Sequence, residues 1–228
     1  MPDIVSRDIR AAFVRCLRTI ERHQAYLTEL DAVLGDGDHG DNLAIGFRAV
    51  CESIDLADPG TPPGPLIRTA GYTLAASAGG ASGPLYGTAL IQAGLAAGSA
   101  EALDAATIDR MLDAAAAALS SRGRCGVGDK TIYDALRPAA DAFHQAYLEG
   151  ASPDASLAAA VVAAWHGMLR TRDLVARRGL GLRLGPRSVG HLDPGAVSCV
   201  LLLRALVADP RPDHGRPFGL TAGAGAGR

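Results

Sequence analysis

Three aspartates, Asp31, Asp36 and Asp38, lie within eight residues of one another, and a glycine directly precedes the second and the third. Carboxylates this close repel each other unless a cation neutralises them. Oxygen ligands separated by glycines suit a hard cation, Mg²⁺ before Ca²⁺. An EF-hand is excluded because Phe47 stands where that loop needs its bidentate glutamate. A second interpretation stays open, an Asp-Gly turn in which Asp38 only caps the following helix.

The segment 79–84 reads Gly-Gly-Ala-Ser-Gly-Pro and is a second candidate for binding chemistry. Consecutive small residues let backbone N–H groups approach an anion closely, and a helix after them adds the positive end of its dipole. Gly80, Ala81 and Ser82 are the candidate contacts. Taken alone, the segment favours the alternative, a tight turn between helices whose glycines serve packing.

The segment 121–131 superficially resembles a phosphate-binding P-loop, but the resemblance fails on two points. Asp129 interrupts the required Gly-Lys order, and no strand is predicted before it. Two interpretations remain. The loop brings Gly123 or Lys130 over a nucleotide, or Asp129 caps an ordinary helix start.

The segment 178–195 is long for a plain connection and indicates a binding loop. It carries Arg187 and His191 and ends in Asp193, Pro194 and Gly195. The alternative assigns His191 and Asp193 to helix capping and leaves the arginines in solvent.

Eight segments with helical periodicity must position these four loops. Aromatic residues are 4% of the chain, and alanine and leucine dominate its apolar residues, which favours closely packed helices over sheets. Apolar residues at steps of three and four predict a first helix that carries Ile9 through Leu30. The same period predicts seven more helices at roughly 39–55, 65–78, 84–98, 104–121, 130–149, 154–177 and 194–208. No alternating run predicts a strand.

We therefore predict an all-α fold, an eight-helix up-and-down antiparallel bundle or barrel. In this topology alternate loops lie at the same end. The four unusual loops follow helices one, three, five and seven, so they should meet at one end. The N-termini of helices two, four, six and eight reach that end too, each with roughly half a positive charge and unpaired amides. Carboxylates, cations and amide donors together predict a site for a metal-chelated polyphosphate.

Charge and cysteine usage limit the class of protein. A net charge of −2 provides no basic field for nucleic acid or an anionic membrane, and no apolar stretch reaches the length of a membrane span. Four widely spaced cysteines predict buried free thiols in a reducing cytoplasm. We expect a cytoplasmic protein with one helical domain over residues 1–208. A Gly/Pro-rich tail over residues 209–228 is predicted to be disordered.

Four sequence blocks resemble, in their order, the signatures of the L subunit of dihydroxyacetone kinase. They are Asp-Gly-Asp-His-Gly with the nearby asparagine (36–42), Gly-Gly-Ala-Ser-Gly-Pro-Leu-Tyr-Gly-Thr (79–88), Gly-Asp-Lys-Thr (128–131) and Arg-Ser-Val-Gly-His-Leu-Asp-Pro-Gly-Ala (187–196). Each block is weak evidence by itself. Together they are highly specific, and the resemblance covers the chain from residue 5 to residue 208.

The resemblance implies an eight-helix barrel that binds ADP or ATP at one end. Asp31, Asp36 and Asp38 would hold two Mg²⁺ ions that bridge the phosphates. The residues expected to contact the nucleotide are His39, Gly40, Asn42, Gly80, Ala81, Ser82, Gly123, Ile132, Arg187, Asp193, Pro194 and Gly195.

Two positions in the fourth loop depart from the family pattern. Leu180 stands where related enzymes, such as the phosphotransferase-dependent one, carry an arginine that contacts the nucleotide, and Pro186 stands where they carry a glutamate. Arg178 and Arg183 are the candidate substitutes for the missing arginine. These departures bear on nucleotide affinity.

The implied activity is transfer of a phosphoryl group from Mg-ATP to dihydroxyacetone held on a separate K subunit. We expect no catalytic residue in this chain, because charge neutralisation and positioning suffice for phosphoryl transfer. Bound ADP is either recharged by a phosphohistidine carrier (an M subunit) or exchanged for ATP. A homodimer is expected.

Three alternatives stay open. A metal-dependent phosphohydrolase would use the same carboxylates to activate water. A non-catalytic regulatory module that binds nucleotide is compatible with Leu180. A kinase subunit for another short ketose, such as erythrulose, would share this chain's site because the acceptor pocket lies on the partner.

Overall fold

A computed structural model describes residues 4–207, and within that range the chain folds into eight α-helices. They are α1 (Ser6–Leu34), α2 (His39–Asp55), α3 (Pro63–Ser77), α4 (Ser82–Ala97), α5 (Ala105–Gly123), α6 (Tyr133–Leu148), α7 (Pro153–Arg170) and α8 (Pro194–Leu206). Two 3₁₀ segments, Thr171–Asp173 and Leu180–Ser188, lie between α7 and α8. The predicted tail, 209–228, lies outside the described residues.

The helices form a closed ring. Each helix packs against its neighbour in the chain, and α8 packs back against α1. Fully buried side chains such as Ile20, Leu43, Leu74 and Phe143 fill the interior. An apolar cavity of about 460 Å³ lies within the ring and is lined from all eight helices. The all-α prediction is confirmed.

Side-chain caps lie at the starts of α7 and α8. Ser152 accepts a hydrogen bond from the Ala155 amide at the start of α7, and Asp193 accepts one from the Ala196 amide at the start of α8. In both helices a proline follows the cap, where its missing N–H costs nothing. The Asp193 cap marks the point where the long fourth loop ends and α8 begins.

The structure differs from the predicted elements at three places. Helix α7 ends at Arg170 rather than near 177, and α6 begins at Tyr133 rather than 130. Asp129 does not cap α6, because its carboxylate accepts the Gly126 amide three residues earlier in the chain. A two-residue antiparallel strand pair joins Ile4–Val5 to Ala102–Leu103, which is too short for an alternating pattern to reveal.

All four cysteines are free thiols, as predicted. Cys16, Cys125 and Cys199 are buried, and Cys51 is half-buried. Burial raises the pKa of Cys16 and of Cys199 to about 12, so both stay protonated at neutral pH. Among the helices of residues 4–207, none combines the length and apolar character that a membrane span requires.

Candidate functional site

Asp31 organises the first loop from the last turn of α1. Its Oδ2 accepts three backbone N–H groups, from Gly37 at 3.0 Å, Asp38 at 3.1 Å and His39 at 3.3 Å. A Cβ at Gly35 would overlap the Asp31 carboxylate, so the close turn requires a glycine there. The loop is therefore shaped by a carboxylate only a few residues away, with its second oxygen, Oδ1, outside these three bonds.

The three predicted carboxylates gather at this loop. Asp31, Asp36 and Asp38 each offer one oxygen within 4.8 Å of the others. Asp36 is exposed, whereas Asp31 and Asp38 are half-buried. Asp38 occupies the N-cap position of α2, but its side chain makes no capping hydrogen bond there. The geometry therefore favours the cation-site interpretation of this segment over simple helix capping.

A cavity of about 640 Å³ opens beside the carboxylates. Residues from all four loops line it, so the predicted meeting of the loops at one end is what the structure shows. The predicted site residues in its lining are Asp31, Asp36, Asp38, His39, Gly80, Ala81, Ser82, Gly123, Ile132, Asp193, Pro194 and Gly195. The walls also include apolar side chains from several elements, namely Leu34, Leu85, Tyr86, Ala176 and Leu180.

Three predicted contacts do not line the cavity. Gly40 packs against α1, where a Cβ would overlap the Gln24 carbonyl oxygen. Asn42 lies behind the second loop, since its Oδ1 would be 2.5 Å from a Cβ at Gly79. Arg187 is exposed in the second 3₁₀ segment. A motif alone does not distinguish the glycine that lines a cavity from the glycine that lets two helices touch.

A buried hydrogen-bonded chain connects the first, second and fourth loops through His39. Its Nδ1 lies 2.8 Å from Ser82 Oγ, and its Nε2 lies 2.9 Å from Ser198 Oγ. Tyr86 OH lies 2.7 Å from Ser198 Oγ, which donates to the Gly195 carbonyl at 3.0 Å. Burial lowers the pKa of His39 to about 4, against the opposing charges of the nearby aspartates. The ring is therefore neutral at pH 7.

Tyr86 and Ser198 are site-supporting residues that sequence reasoning missed. Tyr86 lies in the second sequence block and Ser198 near the start of α8, but Ser198 bonds Tyr86 across 112 residues and His39 across 159 residues. The presence of a tyrosine next to the anion loop was the available signal. Its partner could not be identified without the fold.

Two helix starts place amide donors and positive dipole ends at the cavity. Helix α4 begins at Ser82, and α8 begins at Pro194, both in the cavity lining. Asp193 caps α8 through the Ala196 amide at 2.7 Å, and burial raises the pKa of Asp193 to about 7. Helix N-termini of this kind attract anions. The cavity therefore has carboxylates for cations on one element and amides for anions on others.

The third and fourth loops hold each other. Lys130 is buried, and its Nζ donates to the carbonyls of Thr171 and His191. Asp134, also buried, accepts the amides of Gly128 at 2.6 Å and Thr131 at 2.7 Å. Lys130 thus borders the cavity, but its ammonium is engaged by the protein rather than extended over the opening.

The two residues that depart from the family pattern, Leu180 and Pro186, differ in their position relative to the cavity. Leu180 lines the cavity with 38% of its surface exposed, whereas Pro186 lies outside the lining. Of the two candidate substitutes, Arg178 lines the cavity and Arg183 does not. Arg178 Nε lies 3.3 Å from Asp129, which keeps a cation at this wall.

The chain matches a known protein family and is similar to several described proteins. A family model described as the DAK2 domain matches residues 33–208. The ADP-binding subunit DhaL of PEP-dependent dihydroxyacetone kinase 2 from Listeria innocua is 38% identical over 189 residues, which are 82% of this chain and 87% of that protein. The ADP-binding subunit DhaL of the Escherichia coli K12 PEP-dependent enzyme is 36% identical over 193 residues, 84% of this chain and 91% of that protein.

Two longer proteins contain a similar region. The L-erythrulose 1-kinase of Mycolicibacterium smegmatis is 37% identical over 209 residues, and the matched part is 36% of that protein. The crystal structure of the dihydroxyacetone kinase from C. freundii in complex with AMP-PNP and Mg²⁺ matches with a TM-score of 0.64 and 26% identity. That match covers 87% of this chain and 33% of the kinase chain.

Proposed function

We propose that this chain, which belongs to the DAK2 domain family, is the ADP-binding subunit of a dihydroxyacetone kinase. In this role it holds a Mg-nucleotide at the loop end of the barrel and presents the phosphoryl group to dihydroxyacetone on a separate K subunit. The observation that carries the proposal is the gathering of Asp31, Asp36 and Asp38 at one cavity.

The donor set fits Mg²⁺. Three carboxylates within 4.8 Å offer hard oxygen ligands, and the three amides on Asp31 Oδ2 leave its Oδ1 to bind a cation. We propose that the three aspartates would hold two Mg²⁺ ions. Bound Mg²⁺ supplies charge neutralisation for the phosphates.

The chain's own residues bind and orient the nucleotide. Residues at the starts of α4 and α8 line the cavity at Ser82 and Gly195, and the free backbone amides of these helix starts would bind phosphate oxygens. Apolar walls at Leu85 and Ile132 pack against the base and exclude water. Neutral His39 fixes the first loop against Ser82 and Ser198. No residue of this chain needs to attack or to accept a proton, so catalysis here is positioning.

The relatives named as PEP-dependent bear on the phosphoryl donor. We propose that ADP stays bound and is recharged by a phosphohistidine carrier, an M subunit, in the cytoplasm. The alternative is exchange of ADP for ATP. Supplying a K subunit and dihydroxyacetone with either ATP, or phosphoenolpyruvate and carrier proteins, separates the two donors. A mass of two chains by light scattering would support the proposed homodimer.

A second acceptor is also supported. The 37% identity to an L-erythrulose 1-kinase is close to that with the DhaL subunits, and this chain holds no acceptor site of its own in the proposal. Assays with the cognate K subunit and each ketose should show which sugar is phosphorylated. Phosphorylation of erythrulose and not of dihydroxyacetone would change the proposed acceptor sugar and leave the proposed nucleotide-binding role unchanged.

The central test is the binding of Mg·ADP to the Asp36→Asn variant. Asp36 is exposed, so its replacement should leave the fold intact while calorimetric affinity falls by about tenfold or more. Asp41→Asn is the matched control, because Asp41 is exposed and pairs with Gln24 at 2.8 Å. Equal affinity of Asp36→Asn and wild type would reject the metal assignment.

Two further outcomes would select the rival functions. Rapid phosphate release from ATP and Mg²⁺ by the chain alone would indicate a phosphohydrolase. Tight Mg·ADP binding with no sugar phosphorylation in the presence of the K subunit would indicate a regulatory module.

A further inference from the structure

Lys130 is a buried cation at the boundary between the third and fourth loops. It is 2% exposed, and its Nζ donates to the carbonyl of Thr171 and to that of His191, both at 2.6 Å. In the structure the fourth loop is the whole connection between α7 and α8, and these two carbonyls flank its residues 172–190. One ammonium group therefore bridges the two ends of the fourth loop.

The connection that Lys130 closes carries one wall of the cavity. Residues in this wall are Ala176, Arg178, Gly179, Leu180 and Gly181. Two other bonds join the same two ends, from the Gly190 amide to the Arg172 carbonyl at 2.7 Å and from the Asp193 amide to Thr171 Oγ1 at 3.0 Å. Closing a long connection costs conformational entropy. The position of the cavity wall on this connection therefore depends on the hydrogen bonds that join its two ends.

The backbone at Lys130 is held in an unfavourable conformation. Its φ is 63°, in the left-handed region that residues with a Cβ avoid, and Arg124 is the other non-glycine residue with positive φ among residues 4–207. The Asp134 carboxylate grips the amides of Gly128 and Thr131 on either side. The surroundings therefore enforce the conformation that directs this side chain inward.

The charge environment keeps the ammonium group in place. Burial lowers the pKa of Lys130, and the carboxylates of Asp193, Asp173 and Asp134 oppose that change. A protonated amine has three N–H donors, and two of them are used by the loop carbonyls. Hydrogen bonds and the nearby carboxylates therefore both stabilise the ammonium group between the two ends of the loop.

We propose that Lys130 is a positioning residue that ties both ends of the fourth loop to the third, and so holds the wall 176–181 in the arrangement that binds Mg-nucleotide. The inference rests on the proposed nucleotide function for its effect on affinity. Its structural part, the closing of the loop, concerns the protein without ligand.

The first experiment compares Lys130→Gly with Arg124→Gly. Both changes remove a side chain from a left-handed residue of the same loop, and Arg124 neither lines the cavity nor is buried. In nucleotide-free Lys130→Gly, amide hydrogen exchange over 172–190 should rise about tenfold, and Mg·ADP affinity should fall by a similar factor, because the competent loop arrangement is less populated. Arg124→Gly should change neither. Tryptic cleavage at the arginines of 172–187 gives an independent measure of loop opening.

The second experiment asks for rescue of the hydrogen bonds. n-Butylammonium chloride should restore both exchange protection and Mg·ADP affinity in Lys130→Gly, because its N–H groups can bind the vacated carbonyls. Tetramethylammonium chloride carries the same charge without N–H donors and should not. Lys130→Met, which keeps most of the aliphatic stem, is the second variant should Lys130→Gly lose helical circular dichroism.

The outcomes separate this inference from the proposed function. Wild-type protein that does not bind Mg·ADP would contradict the proposed function, and unchanged exchange over 172–190 in Lys130→Gly or Lys130→Met would overturn the loop-closing role. Weaker Mg·ADP binding with unchanged exchange would also overturn it, since the lysine would then act on the ligand directly. Faster exchange and weaker binding, both reversed by n-butylammonium alone, would support the role of Lys130.

Discussion

The first and fourth loops bound the same cavity, yet they are held in different ways. Asp31 shapes the first loop by binding amides six to eight residues further along the chain. The fourth loop is held by bonds that join positions 22 to 61 residues apart, through Thr171 and Lys130. Local closure costs little entropy and distant closure costs more. The side of the cavity that carries the three aspartates is therefore preorganised, whereas the opposing wall depends on the completed barrel.

Replacing Asp31 should have the largest effect, because this residue shapes the first loop and is a proposed metal ligand. Asp31→Ala removes the acceptor of three amides and should lower the free energy of unfolding by about 3 kcal/mol. Mg·ADP affinity should fall by about 100-fold. Urea unfolding and calorimetry measure the two effects. Asp36→Ala, which alters an exposed carboxylate, should lose affinity with little loss of stability.

Protonation of His39, at the end of the first loop, should lower the free energy of unfolding at acid pH. Burial lowers the pKa of His39 to about 4, while an unfolded histidine titrates near 6.5, so protonation favours the unfolded chain. The His39 contribution to stability is complete above pH 6.5 and falls by about 3 kcal/mol towards pH 4. Urea unfolding between pH 7.5 and 4.5 should show the free energy of unfolding of wild type falling by this amount relative to that of His39→Asn.

The quantity to measure is the difference in unfolding free energy between His39→Asn and wild type at each pH. Titration of Asp193 changes the stability in the opposite direction and is common to both proteins. Burial raises the pKa of Asp193 to about 7, so this group stabilises the folded protein as the pH falls from 7 to 4. Parallel pH profiles for His39→Asn and wild type would contradict the buried, neutral state of His39.

Thr171→Val tests the fourth loop with a smaller change. The hydroxyl donates to the Met168 carbonyl at 2.6 Å and accepts the Asp193 amide at 3.0 Å, so its loss should cost about 1–2 kcal/mol of unfolding free energy. Exchange over 172–190 should rise while the first loop stays protected. Thr88→Val, whose hydroxyl bonds its own helix at Pro84, should cost less. Equal exchange changes in both loops would contradict their independence.

Arg178→Ala should have the smallest effect on stability. Its pairing with Asp129 is half exposed and contributes little, so the free energy of unfolding should change by less than about 0.5 kcal/mol. Mg·ADP affinity should fall about threefold to tenfold, and more at low salt, because a cation at the cavity wall is lost. Arg183→Ala, outside the lining, should bind as wild type. Similar losses in both variants would point to net charge instead.

Short-range signals in the chain were sufficient for much of this architecture. Periodicity located all eight helices, and alternation of connections placed the four unusual loops at one end. The acidic cluster was recognisable because its members lie within a few residues of each other. The early end of α7 at Arg170 was not predicted; beyond it a 3₁₀ turn follows, in which Thr171 Oγ1 accepts the amide of the distant Asp193.

Contacts between distant positions depended on the assembled barrel. The motifs named Gly40 and Gly80 alike, but Gly40 packs against α1 while Gly80 lines the cavity. His39 meets Ser198 across 159 residues, and Lys130 meets His191 across 61. Helical periodicity reports which face of a segment is buried and carries no information on which distant polar group that face meets. Those partners follow from the way eight helices close into a ring, since closure brings α8 beside α1.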